Sequence, residues 1–194
     1  MSALEQIKRL REMTGAGVVD VKKALDESNG DESIAADILK KRGKAKALKK
    51  VDREAGEGVI ASYVHSNQRI GVLVKLLCET DFVSRNESFQ TLAKDIAMHV
   101  AAMNPSVISP EEIPAEEVAH ERVIWVEQLR AEKKPEAVIE NILSGKEKKF
   151  REERALLTQN FVKDPSKTVG DLVTEQVARI GERIVIGSFV RYEL

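Results

Sequence analysis

Three runs rich in β-branched residues constrain this chain more than any other feature: Val59 to His65, Ile70 to Cys78, and Ile184 to Tyr192. Ser66-Asn67-Gln68-Arg69 between the first two has the length of a hairpin loop. The third run lies at the far end of the chain, beyond a long stretch of helical pattern. The expected fold class is therefore α+β, with a small antiparallel sheet of about three strands packed by helices. Apolar residues make up 42% of the chain and aromatic residues only 4%, so the core must be built mainly from Leu, Ile, Val and Ala.

Residues 1–43 read as three short helices. Leu4, Ile7 and Leu10 follow a helical period that Thr14-Gly15-Ala16-Gly17 breaks. Val18, Val21, Ala24 and Leu25 mark the second helix, with Asp20 in its first turn where an acid suits the helix dipole. Ser28-Asn29-Gly30-Asp31 makes the next turn. Ile34, Ala35, Ile38 and Leu39 share a face of the third helix, and Gly43 is placed as its stop signal. Such a unit is near the lower size limit for independent folding, and its apolar edge would suit a partner.

Residues 44–57 read as a charged linker and 58–194 as the α+β core. Seven basic residues lie between Lys40 and Lys50, a density that can bind phosphate backbones. No aromatic residue is interleaved to stack a base, and Asp52, Glu54 and Glu57 follow closely. No direct nucleic-acid binding is expected. Within the core, Phe89, Leu92, Ala93, Ile96, Val100 and Met103 form an amphipathic stripe. Ser84 and Glu87 match a capping box that starts this helix at Ser84 and leaves Asp81 and Phe82 outside it. Further helices are expected over 111–132, 135–143, 147–161 and 168–180.

Chemistry is sparse. The formal net charge of −1 supplies no global field for nucleic acid or acidic membranes. The glycine pairs at 15/17 and 56/58 lack the rest of a phosphate-binding loop. His65, His99 and His120 have no partner at metal-ligand spacing, and His99 lies near the polar edge of its helix. Trp125 reads as an anchor of the helical layer. Cys78, the single cysteine, sits in an apolar run as a buried small hydrophobe. No enzyme activity, cofactor or metal is expected. No apolar stretch reaches the ~18 residues of a membrane span, and Glu5 and Glu12 argue against a transit peptide, so a cytoplasmic location is expected. Asp81 and Phe82 remain open between two readings. Either Phe82 packs onto the sheet at a strand-to-helix corner, or the turn offers an acid and a ring to a partner.

Four blocks resemble the elongation factor Ts family. They are Leu10 to Gly17 continued by Asp20 to Leu25, Glu79-Thr80-Asp81-Phe82-Val83 with Asn86, Leu156 to Asp164, and Gly187 to Arg191. Val19 and Val21 stand where the family often has Met and Cys, and Ser84 where it commonly has Ala. The resemblance implies a guanine nucleotide exchange factor for elongation factor Tu that binds the GDP-bound and nucleotide-free forms and is not itself an enzyme. It implies a ubiquitin-associated-like module at 1–43 that docks on the GTPase. Thr80, Asp81, Phe82 and Val83 would disturb the GTPase's magnesium site. Met13, Thr14, Gly15, Gly17, Val18 and Val19, at the first turn of the module, are the expected docking contacts. Similarity to the short forms of the family implies a homodimer, with an exposed edge strand near the C-terminus as its pairing surface.

Overall fold

The computed structural model describes residues 3–194, so the first two residues of the expected 1–43 module lie outside the described residues. The fold is α+β and divides into two compact units. One comprises the chain up to Ala97 together with Asp171–Leu194; the other is Met98–Gly170.

The first unit opens with helices α1 (Ala3–Thr14), α2 (Val18–Glu27) and α3 (Glu32–Leu48). Leu10, Val21, Ala24, Leu25, Ala35 and Leu39 close a small core among them. Asp31 caps α3, its carboxylate accepting from the Ser33 and Ile34 amides at 2.8 and 3.0 Å. These bonds satisfy two of the four amides left free at a helix start. Gly43 does not stop α3, which continues through the basic stretch. A Cβ at Gly43 would lie 3.2 Å from the Ala178 Cβ, so the glycine permits close approach to a helix from the chain's end. Arg42, Lys44 and Lys46 pair with Glu27, Asp171 and Asp20, and Lys50 reaches the Gly181 carbonyl oxygen.

Strands β1 (Glu57–Val64) and β2 (Ile70–Cys78) form the expected hairpin. The terminal strand, Val185–Glu193, pairs antiparallel with β2 to give a sheet with that strand and β1 at its edges. Alternation sends Ala61, Val72, Val74, Leu76 and Ile186 to the buried face. Ile60, Val64, Leu73, Val190 and Tyr192 are exposed. Gly58 pairs with Leu77, and a Cβ there would stand 2.1 Å from the Leu76 carbonyl oxygen. Only a glycine fits this crossing.

After β2 come the short helix α4 (Asp81–Ser84) and the long α5 (Glu87–Met103). The expected start of the long helix at Ser84 is thus corrected. Ser84 is buried and its hydroxyl donates to the Asp81 carbonyl at 2.7 Å, within α4. Asn86 caps α5 instead, its Oδ1 accepting from the Ser88 amide at 2.9 Å. Asn caps as well as Ser does, and the Ser84 hydroxyl is already committed to its own turn.

In the second unit, α6 (Ala115–Ala131) and α7 (Glu136–Arg154) form a helical hairpin around Leu129, Ile139 and Leu143. Trp125 does anchor this layer, meeting Phe150 edge-on with ring centroids 5.6 Å apart. The helices expected at 135–143 and 147–161 are one helix that ends at Arg154. Beyond it the amides of Leu156 and Leu157 donate to the carbonyl oxygens of Val107 and Ile108, so a distant segment takes the bonds that would have extended the helix. A ribbon of β3 (Asn160–Phe161) and β4 (Asp164–Thr168) follows, where a helix end was expected. The chain then passes into α8 (Val169–Ile180) and, after Gly181, into β5 (Val185–Glu193). His99 is fully buried rather than at a polar edge. Its Nε2 lies 3.1 Å from Gln159 Oε1, and its Nδ1 accepts from the Val162 amide at 3.2 Å.

Candidate functional site: an exposed turn at the end of β2

Because β5 runs antiparallel to β2, with Leu77 opposite Val185, the residues leaving β2 face the residues entering β5. Glu79 and Thr80 therefore meet Glu182 and Arg183, about a hundred positions away in sequence. The Glu182 carboxylate accepts three hydrogen bonds: from the Glu79 amide at 3.1 Å, the Thr80 amide at 3.0 Å and the Thr80 hydroxyl at 2.7 Å. Glu79 reciprocates by accepting from the Arg183 amide at 2.6 Å, and its carboxylate also pairs with Arg53 at 3.3 Å. The Arg183 amide first, and Arg53 after it, hold the Glu79 carboxyl below its usual range. The Cys78 thiol donates to the Thr80 carbonyl oxygen at 3.2 Å. Burial pushes that thiol's pKa up to about 11, in keeping with its reading as a small hydrophobe.

From this base the chain turns through extended Thr80 (φ −129°, ψ 156°) into the single turn of α4, which packs beside β1 and β2. Ser84 N–H closes the turn on the Thr80 carbonyl oxygen at 3.2 Å. Asp81 pairs with Arg85 at 3.0 Å, an exposed contact of little energy. Val83 is half-buried and Phe82 is 81% exposed. Of the two readings left open for Phe82, packing onto the sheet is excluded. Holding the ring in water forgoes about 1.5–3 kcal/mol that burial would provide.

The N-terminal candidates lie on the α1–α2 turn of the same unit. Gly15 adopts φ +66°, and the Thr14 hydroxyl donates to the Leu10 carbonyl at 2.6 Å while accepting from the Ala16 amide at 3.3 Å. Gly17 is extended and precedes α2. Met13, Val18 and Val19 flank this turn with exposed apolar side chains. Thr80 to Val83 thus form one continuous element, and Met13 to Val19 another. Glu182 and Arg183 belong to none of the motif blocks, and Glu79 enters one without a role of its own. Their only signal was topological: if the last strand is antiparallel to β2, the loop before it must sit beside the end of β2.

Among the described residues no group of three or more His, Cys, Asp or Glu is arranged to hold a metal ion, and no helix is long and apolar enough to cross a membrane. Comparison with known sequences defines the class, a translation elongation factor. A family model described as elongation factor TS matches residues 10–194. The elongation factor Ts of Thermosipho melanesiensis is 52% identical over 192 residues, covering 99% of this chain and 98% of that protein. That of Rubrobacter xylanophilus is 52% identical over 191 residues, covering 98% of each. That of Syntrophomonas wolfei is 50% identical over 194 residues, covering all of this chain and 91% of its own. The chain belongs to the elongation factor Ts family.

Proposed function

We propose that this chain is a guanine nucleotide exchange factor for elongation factor Tu, acting in the cytoplasm without a catalytic site or cofactor of its own. The observation that carries the reading is Phe82: a large ring held in water at the tip of a turn whose base is tied down. An exposed aromatic on a rigid support is suited to anchor an interface, because little ordering entropy remains to be lost on binding. Phe82 enters the GTPase near its magnesium site, with Thr80, Asp81 and Val83 shaping the contact. Magnesium demands near-ideal octahedral geometry, so a small displacement of its surroundings weakens GDP binding. By linkage, GDP and the factor weaken each other by the same ratio, at about 1.4 kcal/mol of coupling per tenfold.

Residues 1–43 act as the docking module, through Met13 to Val19. Residues 44–57 link it to a core at 58–194. The acids paired with Arg42, Lys44 and Lys46 favour a structural role for the basic stretch over nucleic-acid binding. The chain works as a homodimer, a reading supported by the open edge of β5 and by the exposed Ile60, Val64, Leu73, Val190 and Tyr192 on one sheet face. The test of exchange is stopped-flow release of fluorescent GDP from elongation factor Tu, with and without this chain. Acceleration is expected, and an unchanged rate would refute it. Sedimentation showing only monomer at micromolar concentration would refute the dimer.

A further inference from the structure

Thr80 occupies the N-cap position of α4, yet its side chain makes no capping hydrogen bond to that helix. A threonine in this position ordinarily accepts from an amide of the first turn. Here the hydroxyl donates instead to Glu182 Oε1 at 2.7 Å, while Oε2 receives the amides of Glu79 and Thr80 at 3.1 and 3.0 Å. A local cap has been exchanged for a tertiary lock. α4 is only four residues long, and one helical turn cannot hold itself in water, since nucleation costs more than its single layer of hydrogen bonds returns. The direction in which α4 leaves the sheet must be set from outside. Beyond Glu182 and Arg183 the chain buries Ile184 and Ile186, which root this segment against the sheet.

We propose that Glu182 is a positioning residue for nucleotide exchange: acting through Thr80, its carboxylate fixes the orientation in which Phe82 is presented. The inference rests on the exchange reading above. Without the carboxylate, Thr80 regains its rotational freedom, α4 frays, and only a fraction of molecules presents the ring productively. Docking through the α1–α2 turn, which takes no part in the lock's three hydrogen bonds, continues. The loss therefore falls on the rate within the complex rather than on its formation.

The experiment follows GDP release from elongation factor Tu against factor concentration for the wild-type chain, Glu182→Ala and Glu182→Gln. Amide hydrogen exchange is followed in the same proteins. For Glu182→Ala the plateau rate is expected to fall about tenfold, which corresponds to about 1.4 kcal/mol. The half-saturating concentration should move less than threefold (roughly 0.65 kcal/mol). The Thr80 amide should exchange faster while those of the β2–β5 ladder keep their protection. Glu182→Gln retains an acceptor oxygen and should recover part of the plateau. An unaltered plateau in Glu182→Ala, with the wild type active, overturns the positioning role alone. Loss of ladder protection in both variants assigns the carboxylate to holding the sheet and also overturns it. A wild-type chain that fails to accelerate release refutes the exchange reading itself, and the positioning role falls with it.

Discussion

Replacing Phe82 with alanine should separate function from stability. The ring is 81% exposed, so the free protein gains almost nothing from it; a surface substitution of this kind changes stability by no more than about 0.5 kcal/mol. A phenylalanine can bury about 150–250 Å². At this exposure and ~25 cal/mol per Å², complete burial against a partner offers roughly 3–5 kcal/mol as an upper bound. Ordering and imperfect packing reduce that, and central aromatic anchors commonly measure ~2 kcal/mol or more on truncation. Two kcal/mol is about thirtyfold in an equilibrium constant. Phe82→Ala should therefore slow factor-stimulated GDP release by more than about tenfold while its thermal unfolding coincides with that of the wild type. Stopped-flow release at the wild-type rate would refute the assignment of the ring to the interface. A large drop in unfolding temperature would refute the argument that the ring lies outside the core.

Two further outcomes follow from the packing. His99 accepts from the Val162 amide through Nδ1 and is buried, and burial outweighs the Gln159 hydrogen bond to hold its pKa below the ordinary value. The unfolded imidazole protonates near pH ~6.5 and the folded one only below that, so stability from this group is fully present above about pH 7 and declines as pH falls. Thermal unfolding from pH 7.5 to 5 should show the decline, and His99→Gln should flatten it; an equal slope in both proteins would exclude His99 as its source. Gly58→Ala places a Cβ 2.1 Å from the Leu76 carbonyl oxygen and should destabilise the chain by about 1–3 kcal/mol or more, because a paired backbone cannot give way as a side chain can. Chemical denaturation with an unmoved midpoint would contradict that geometry.

The parts of the fold that local pattern encodes were legible in the residues. The strand runs found their places because alternation and β-branching act within each segment. Gly43 shows the limit of such reading. Glycine after a helical pattern is a stop signal by local chemistry, but here it lies under Ala178, and the close approach it permits outweighs its poor helix propensity. The expected cap at Ser84 failed for a related reason. Two capping residues compete within three positions, and tertiary packing buried Ser84 and left the role to Asn86. The helix expected to reach Phe161 ended at Arg154 because Val107 and Ile108 offered carbonyl oxygens that no local window contains.

At the candidate site the division is sharper. The sequence by itself determined that an acid and a ring, Asp81 and Phe82, stand where a strand gives way to a helix, and its four motif blocks pointed to the family. It left open which way the ring faces. Tertiary structure decided that Phe82 faces water, and it brought in Glu182, which sits 102 positions from Thr80. The physical reason is that hydrogen bonds between distant segments depend on which strands pair. Antiparallel register sets the loop before β5 beside the end of β2, and no periodicity in either segment records that meeting.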